Sequence, residues 1–448
     1  MLGRCSLAVL LLSLLSAHDA RAQNWSFDAR KIGLGATGGS ENLASKMVDD
    51  ARQYKSIVLP LGLLQVIGDF DRLSPTSDDF DLVRTIEYAA APLHYQLGRD
   101  YNDAAAQLVV DLRRGTLSRD LNAYRGFVPA NQPAAEGLAS PNWGGTVTLR
   151  RGPNRTFQGI YIGAGPYLSM RTDLSVDPQL IAVLGSSNDV YLPNASMQIG
   201  TSSQGQLALA VTGGYRGRFA LPAGLGTGSE RDGIYIAANY NHLRGFRYER
   251  VDSALRLDTD RSGLLTQKPL TPPPLAVVRH EAKGGSGFAA DMGASAVVGP
   301  WQIGFGANGI GNHIDWNDVE RVSYTIGDLI AGDGEFAETA AASIDRMRTE
   351  LPVDYRLDAG YLAGKWEVQT EYSSGFQGNS FRAGYERDLG VVEVRGGAFY
   401  GREKWNPTIG VGLSMGKRLA LDLAAYGTTA NAQRERRTAV AVSLRINP

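Results

Sequence analysis

The sequence predicts an all-β protein, an antiparallel transmembrane β-barrel of about 14 strands with a small helical N-terminal insert. Three observations predict it. The first is a period of two, clearest in Lys365-Trp366-Glu367-Val368-Gln369-Thr370-Glu371-Tyr372. Trp366, Val368, Thr370 and Tyr372 share one face and Lys365, Glu367, Gln369 and Glu371 the other, as in a strand with a different solvent on each side. The second is the spacing of turns after Val353. Tight connections at Gly364, Gly390 and Gly416 alternate with longer ones at 374–378, 401–407 and 427–436, the plan of a barrel with short periplasmic turns and longer outside loops. The third is compositional. With 54 Gly in 448 residues, the chain is richer in glycine than the usual ~7%, and no window approaches the 18 or so apolar residues of a membrane helix.

The elements follow in chain order. Arg4, an apolar run over 7–15 and Ala20-Arg21-Ala22 read as a secretory signal peptide over 1–22, cleaved near Ala22. The only cysteine, Cys5, lies within it, so the exported chain is expected to carry neither disulfides nor cysteine metal sites. Residues 23–39 read as an extended leading segment. Residues 40–131 read as a mixed helical insert, a plug or a cap, or a small periplasmic subdomain beside the barrel. In it Ser40 caps a helix through Gln53 with Leu43, Met47 and Ala51 at helical spacing, and 103–114 forms a second helix stopped by Gly115. Strands are possible at 57–67 and 83–88.

The barrel is expected over 143–448. Candidate strands are 145–151, 158–172, 205–219, 233–243, 246–257, 275–282, 287–298, 302–311 and 319–325. Seven more follow at 354–362, 365–373, 380–388, 391–400, 408–415, 418–426 and 437–446. Between them, 328–350 carries Phe336, Ala340, Ile344 and Met347 along one stripe, which predicts a helix over the outer mouth. If the tight turns are periplasmic, Pro448 is periplasmic too.

The faces of the strands differ chemically. Trp366, Val368, Tyr372, Phe381, Tyr385, Val392, Val394, Leu413, Leu421, Leu423, Val440, Val442 and Leu444 are expected to meet lipid or its interface. Glu367, Gln369, Glu371, Arg382, Glu386, Glu393, Arg395 and Asp422 are the lumen-facing candidates, because a charge facing mid-bilayer costs ~2–4 kcal/mol. Their mixed signs point to ion pairs between neighbouring strands. The balance of 45 basic and 46 acidic residues gives no footprint for a nucleic acid.

Catalytic and metal chemistry find little support. Asp258-Thr259-Asp260-Arg261-Ser262-Gly263 echoes the start of a calcium loop, but Pro269 stands where the closing acid belongs, and a polar turn is the better reading. His94, His242, His280 and His313 do not pair at ligand spacing. His313 near Asp315 reads as a strand-end hydrogen bond, and the glycines of 33–38 lack the lysine of a phosphate loop. The expectation is no enzyme and no cofactor.

Several segments together resemble the FadL-type outer-membrane barrels, including their PorV-like and conjugation-operon TraF-like branches. They are Asp28-Ala29-Arg30-Lys31-Ile32-Gly33-Leu34-Gly35-Ala36, then Gly285-Ser286-Gly287-Phe288-Ala289-Ala290-Asp291-Met292-Gly293-Ala294 followed by Trp301 and Trp316, and then Leu351-Pro352 with Arg356-Leu357-Asp358-Ala359-Gly360-Tyr361. The family's N-P-A step after the leading segment and its terminal aromatic residue are missing here. The resemblance implies uptake of hydrophobic molecules in one branch and secretion partnership in another. The expected function is an outer-membrane barrel, in a Gram-negative envelope, that passes or binds a small hydrophobic molecule. Outer-membrane lipid is the expected surrounding, and no nucleic acid is expected. The alternative is a partner-binding envelope scaffold, a secretion or conjugation accessory without transport, that docks a protein through 328–350 or 40–131.

Overall fold

Alternating strands joined by turns can satisfy every backbone N–H and C=O only by pairing sideways, and the chain does so in one antiparallel sheet of eighteen strands. The computed structural model describes residues 28–35, 42–52, 57–60, 93–97, 117–126, 133–140, 142–266, 275–326, 337–376, 378–401, 404–416, 419–428 and 437–446. The expected signal peptide, the helix at 103–114, the strand at 83–88 and Pro448 lie outside these residues.

The strands are β1 Ile57–Pro60, β2 Leu93–Leu97, β3 Pro133–Ala139, β4 Trp143–Arg151, β5 Phe157–Val176, β6 Ser196–Phe219, β7 Gly233–Asp258, β8 Leu275–Ala282 and β9 Gly285–Val298. They continue as β10 Trp301–Ile326, β11 Ala337–Glu350, β12 Asp354–Ala363, β13 Trp366–Gly375, β14 Gly378–Asp388, β15 Val392–Gly401, β16 Lys404–Met415, β17 Leu419–Thr428 and β18 Arg437–Ile446. Four pairs of segments lie end to end along a shared neighbour. These are β1 and β2 on β18, β3 and β4 on β5, β8 and β9 between β7 and β10, and β11 and β12 on β10. The described segments therefore occupy fourteen rows, the number the sequence leads one to expect.

Several expectations are corrected. The helix expected over 328–350 is, where described, the strand β11. Ile344 lies opposite Val319 and Met347 opposite Trp316, and Asp318 between them takes a positive φ of 51°. This local irregularity puts two residues three apart on one buried face, which imitates a helical stripe. The separate strands at 233–243 and 246–257 are one strand, β7, and those at 302–311 and 319–325 are one strand, β10. The connections expected to be long at 374–378 and 401–407 are short, because Gly375 pairs with Gly378 and Gly401 with Lys404. The sheet also begins before 143, since β1, β2 and β3 belong to it. The leading segment, read as extended, carries a short helix α1, Ala29–Gly33, whose Arg30 N–H is capped by the Asp28 carboxylate at 2.8 Å.

The strands differ in length. Those from β13 to β18 run 10–12 residues, close to the ~9–11 that cross a bilayer. β6, β7 and β10 run 24, 26 and 26, and at ~3.3 Å per residue they rise far beyond one. One side of the barrel is thus a tall wall, and its upper end carries the connection 177–195 and the turn at 259–266. The turns at 299–300, 364–365, 389–391 and 416–418 mark the opposite, short-turn end.

Near the short-turn end the outer face is an exposed apolar belt: Ile162, Ile236, Trp301, Ile303, Phe305, Leu357, Trp366 and Val368. Aromatic contacts edge it, Trp301 with Tyr361 and Trp366 with Tyr385 below, Tyr240 with Phe288 above. Above the belt the outer face of β10 turns polar, with Asn317, Asp318, Glu320 and Arg321 exposed. A contiguous apolar surface flanked by aromatics is the face a barrel turns to lipid. Of the residues expected there, Trp366, Val368, Tyr372, Phe381, Val394 and Leu413 are exposed and Tyr385, Val392, Leu421, Leu423, Val440, Val442 and Leu444 are half-buried.

Inside the tall wall, two apolar clusters stack. The upper one packs Leu174, Val176, Met197, Val251 and Leu255 beneath a cap made by helix Pro178–Gly185 and the 3-10 helix Leu121–Tyr124. The lower one joins Tyr167, Leu243, Ile314, Trp316, Leu351 and Phe376.

Candidate functional site in the barrel interior

The N-terminal residues sit on the inner face of the sheet and touch both sides of it. On one side α1 lies against β15, β16, β17 and β18. Its Ala29 N–H donates to Ser443 Oγ at 2.9 Å and Gly35 N–H donates to Thr408 Oγ1 at 3.0 Å. Backbone meets backbone here: Gly33 lies over Gly410, where an added Cβ would stand 3.0 Å from the Gly410 Cα. Gly35 adopts a φ of 69°, open to glycine and strained for other residues. A Cβ on Gly397 would stand 2.6 Å from the Gly35 nitrogen, so Gly397→Val should push α1 off the wall. Tryptic cleavage after Arg30 or Lys31 in the folded, detergent-solubilised variant is the expected readout, with the wild type resistant.

Charge holds the same contact. Arg30 forms a two-pronged pair with Glu386, Nε to Oε2 at 2.9 Å and Nη2 to Oε1 at 2.8 Å, and reaches Glu367 at 3.8 Å. Glu386 also takes Arg395 Nε at 2.6 Å, and Arg395 Nη1 reaches Asp422 at 2.7 Å. Arg395 also pairs with Glu393, which accepts Arg445 Nη2 at 2.9 Å. A second group joins Arg356 and Arg382 to Glu371, each at 2.7 Å, with Asp354 2.6 Å from Arg356. Glu367, Glu371, Arg382, Glu386, Arg395 and Asp422 are buried, Arg395 to 1% exposure and Asp422 to 0%. Gln369, a hydrogen-bond donor to Glu367, and Glu393 are half-buried. Buried charges persist only when paired and hydrogen-bonded, and each charge here has an opposite charge in contact.

The second helix, α2 Leu43–Arg52, packs on β7, β9 and β10. Ser40 was expected to cap it; Asn42 does so, its Oδ1 accepting the Ala44 N–H at 3.1 Å. Asn42 Nδ2 and Ser45 Oγ then donate to the two oxygens of Asp358 at 2.8 and 2.6 Å. α1 is thus held by Glu386 on one wall and α2 by Asp358 on the other.

The tall wall carries a break. β10 pairs with β12 as far as Asn308 opposite Asp354 and with β11 only from His313 opposite Glu350, so 309–312 lacks ladder partners on that side. Pro352 sits across the gap with no N–H to offer. On the other side only Ile310 opposite Ala290 interrupts the interval between Ala307 and His313. Gly309 and Gly311 take positive φ of 73° and 64°. Asp291 fixes the kink from inside by accepting the Gly309 N–H at 2.9 Å, and Asn312 donates to the buried Tyr167 hydroxyl at 2.5 Å. This interval without ladder pairing lies just above Phe305 and Leu357 of the belt, and Leu351, Phe376, Ile314 and Trp316 back it.

Two weaker sequence signals resolve into structure. His313 Nδ1 lies 2.9 Å from Gly311 O, while Asp315 takes Arg346 and Arg348 at 2.6 and 2.7 Å. Hydrogen bonding from Arg348, joined by Arg346, holds the Asp315 carboxyl well below the usual range. Asp260 accepts the N–H groups of Ser262 and Leu264 and pairs with Arg119, as a turn does. Arg30, Asn42, Ser45, Arg356, Asp358 and Arg445 were missed. Arg356, Asp358 and Arg445 carried a readable signal, alternating with outward Leu357 and Leu444.

No family model matches the chain, and no curated protein does. Solved barrels share a loose likeness. One is the monoaromatic hydrocarbon channel CymD, 8% identical over 73% of this chain and 91% of its own, at a TM-score of 0.36. The P. putida toluene transporter TodX is 10% identical over 65% of this chain and 80% of its own, at 0.27. Outer membrane phospholipase A from Escherichia coli is 11% identical over 53% and 79%, at 0.21.

Proposed function

We propose that this protein is an outer-membrane β-barrel through which a small hydrophobic molecule passes, with the tall end outside and 28–52 as the plug. The observation that carries this reading is the gap beside β10, at the rim of the lipid-facing belt and backed by apolar side chains. A hydrophobic solute that follows the apolar inner side of the tall wall to this gap can leave sideways into lipid, and never needs to displace the plug. Burying its surface along that route is worth ~25 cal/mol per Å². A polar solute finds no such gain, because the charges on the opposite wall already pair among themselves. The FadL-type resemblance of the sequence agrees with this, and the reading assigns no catalysis.

The test is selective uptake. Cells making the protein should accumulate a labelled aromatic or alkyl hydrocarbon several-fold faster than cells without it, while entry of a sugar of similar size stays unchanged. Equal stimulation of both, or of neither, sinks the reading.

One observation favours the scaffold as a second reading. Among the described residues β11 has ladder partners only on β10, and most of its residues are exposed. Such an edge can accept a strand from another protein. Site-specific crosslinking from Ser343 in cells would capture a discrete partner under that reading, and uptake would not depend on the protein.

A further inference from the structure

Directly above the belt on the tall wall, ladder register sets outward residues in rows. One row is Leu209 of β6, Arg244 of β7, Ser286 of β9, Asp315 of β10 and Arg348 of β11. Arg346 stands next to Arg348 on the same face, opposite Asn317. The row below holds His242, Phe288 and His313, with Phe288 stacked on Tyr240 at the belt's upper edge. Arg346 and Arg348 are 65% and 51% exposed although both contact Asp315. Arg348 also reaches the exposed Glu350 at 4.0 Å, and the hydrogen bonds to Asp315 hold both guanidiniums in place. Arg244 is exposed and has no carboxylate within ion-pair distance among the described residues.

We infer that this row is a binding site for the phosphate group of a lipid in the outer leaflet. The inference rests on the membrane-spanning reading above. Arg244 and the Arg346–Arg348 pair flank Ser286 and Asp315, with about three strand spacings of ~4.8 Å between β7 and β11. Extended arginine side chains from both sides reach a common anion over Ser286. Planar guanidiniums match phosphate oxygens in pairs. The height decides the source: the arginines stand at the level of headgroups, immediately over Tyr240 and Phe288, while acyl chains of the same lipid lie along Ile236 and Met292 in the belt. A phosphate carried on a lipid gains both contacts at once.

The test uses the full-length protein in phosphatidylcholine nanodiscs doped with diphosphorylated lipid A or with its dephosphorylated form, read by native mass spectrometry. Retention of the diphosphorylated lipid is expected. Arg244→Gln, at an exposed position, should weaken retention about tenfold, the worth of one hydrogen bond to a charged group. The double variant Arg346→Gln, Arg348→Gln should weaken it at least as much. Arg155→Gln, near the short-turn end, should retain lipid as the wild type does. Equal retention of the dephosphorylated form, or unchanged retention in the Arg244 and double variants, overturns the site. A protein that fails to insert into lipid at all, seen by flotation, overturns the membrane reading and the site with it.

Discussion

Replacing Gly309 and Gly311 together by alanine should nearly abolish hydrocarbon uptake while the barrel remains folded. Both residues hold positive φ, and a left-handed conformation costs a residue with a Cβ roughly 1–2 kcal/mol. The double variant therefore biases β10 toward a regular strand by roughly 2–4 kcal/mol, about thirty- to a thousandfold in population. A regular β10 would pair through the interval opposite Ala290 and narrow the gap beside Pro352. Uptake in cells, with surface expression checked in parallel, measures this. Uptake at the wild-type rate would mean that the solute does not use the gap. Asp291→Ala, which removes the acceptor for the Gly309 N–H, should act in the same direction more weakly.

The second large effect concerns the plug. Glu386→Ala leaves Arg30 and Arg395 facing each other without the carboxylate they share. Breaking a buried pair from one side costs roughly 3–5 kcal/mol, and the cheapest relief is for α1 to leave the wall, since β14 and β15 stay tied by their ladder. Planar-bilayer recordings should show ion conductance in the variant and a closed wild type, and trypsin should reach Arg30. Arg30→Ala should do less, because Arg395 still neutralises Glu386. Closed recordings with a protected Arg30 would mean that the bonds to Ser443 and Thr408 suffice to hold the plug.

How much of this was legible in the sequence depended on the range of the physics involved. Period-two alternation is local, so the strands from β12 to β18 could be read directly, and Arg395 and Asp422 among them are buried, although Arg356, Asp358 and Arg445 on the same pattern were passed over. The row count survived because segments broken in sequence rejoin along a neighbour. What failed were features that depend on a partner strand. Ile344 and Met347 needed the irregularity at Asp318 to share a face, and without β10 their spacing is that of a helix. The plug contacts were not visible for a similar reason. Arg30 meets Glu386 across 356 positions, and nothing local marks Asn42 as the residue that reaches Asp358. The gap depended on two glycines and Pro352, each ordinary in a turn, falling opposite one another only in the folded sheet.

The unequal height of the wall has a thermodynamic consequence. The ladder between β6 and β7 continues from Phe219 opposite Ile234 to Ser196 opposite Asp258, with one shift near Leu207. On the membrane-spanning reading proposed above, its lower part is solvated by hydrocarbon, where an opened amide has no water to bond and opening costs several kcal/mol per group. Its upper part stands in water, where opening exchanges one hydrogen bond for another. One continuous pair of strands therefore spans two regimes of local stability. Urea should loosen the upper cluster around Met197 and Leu255 while the belt stays intact, and amide exchange should change steeply near Gly245 and Leu207.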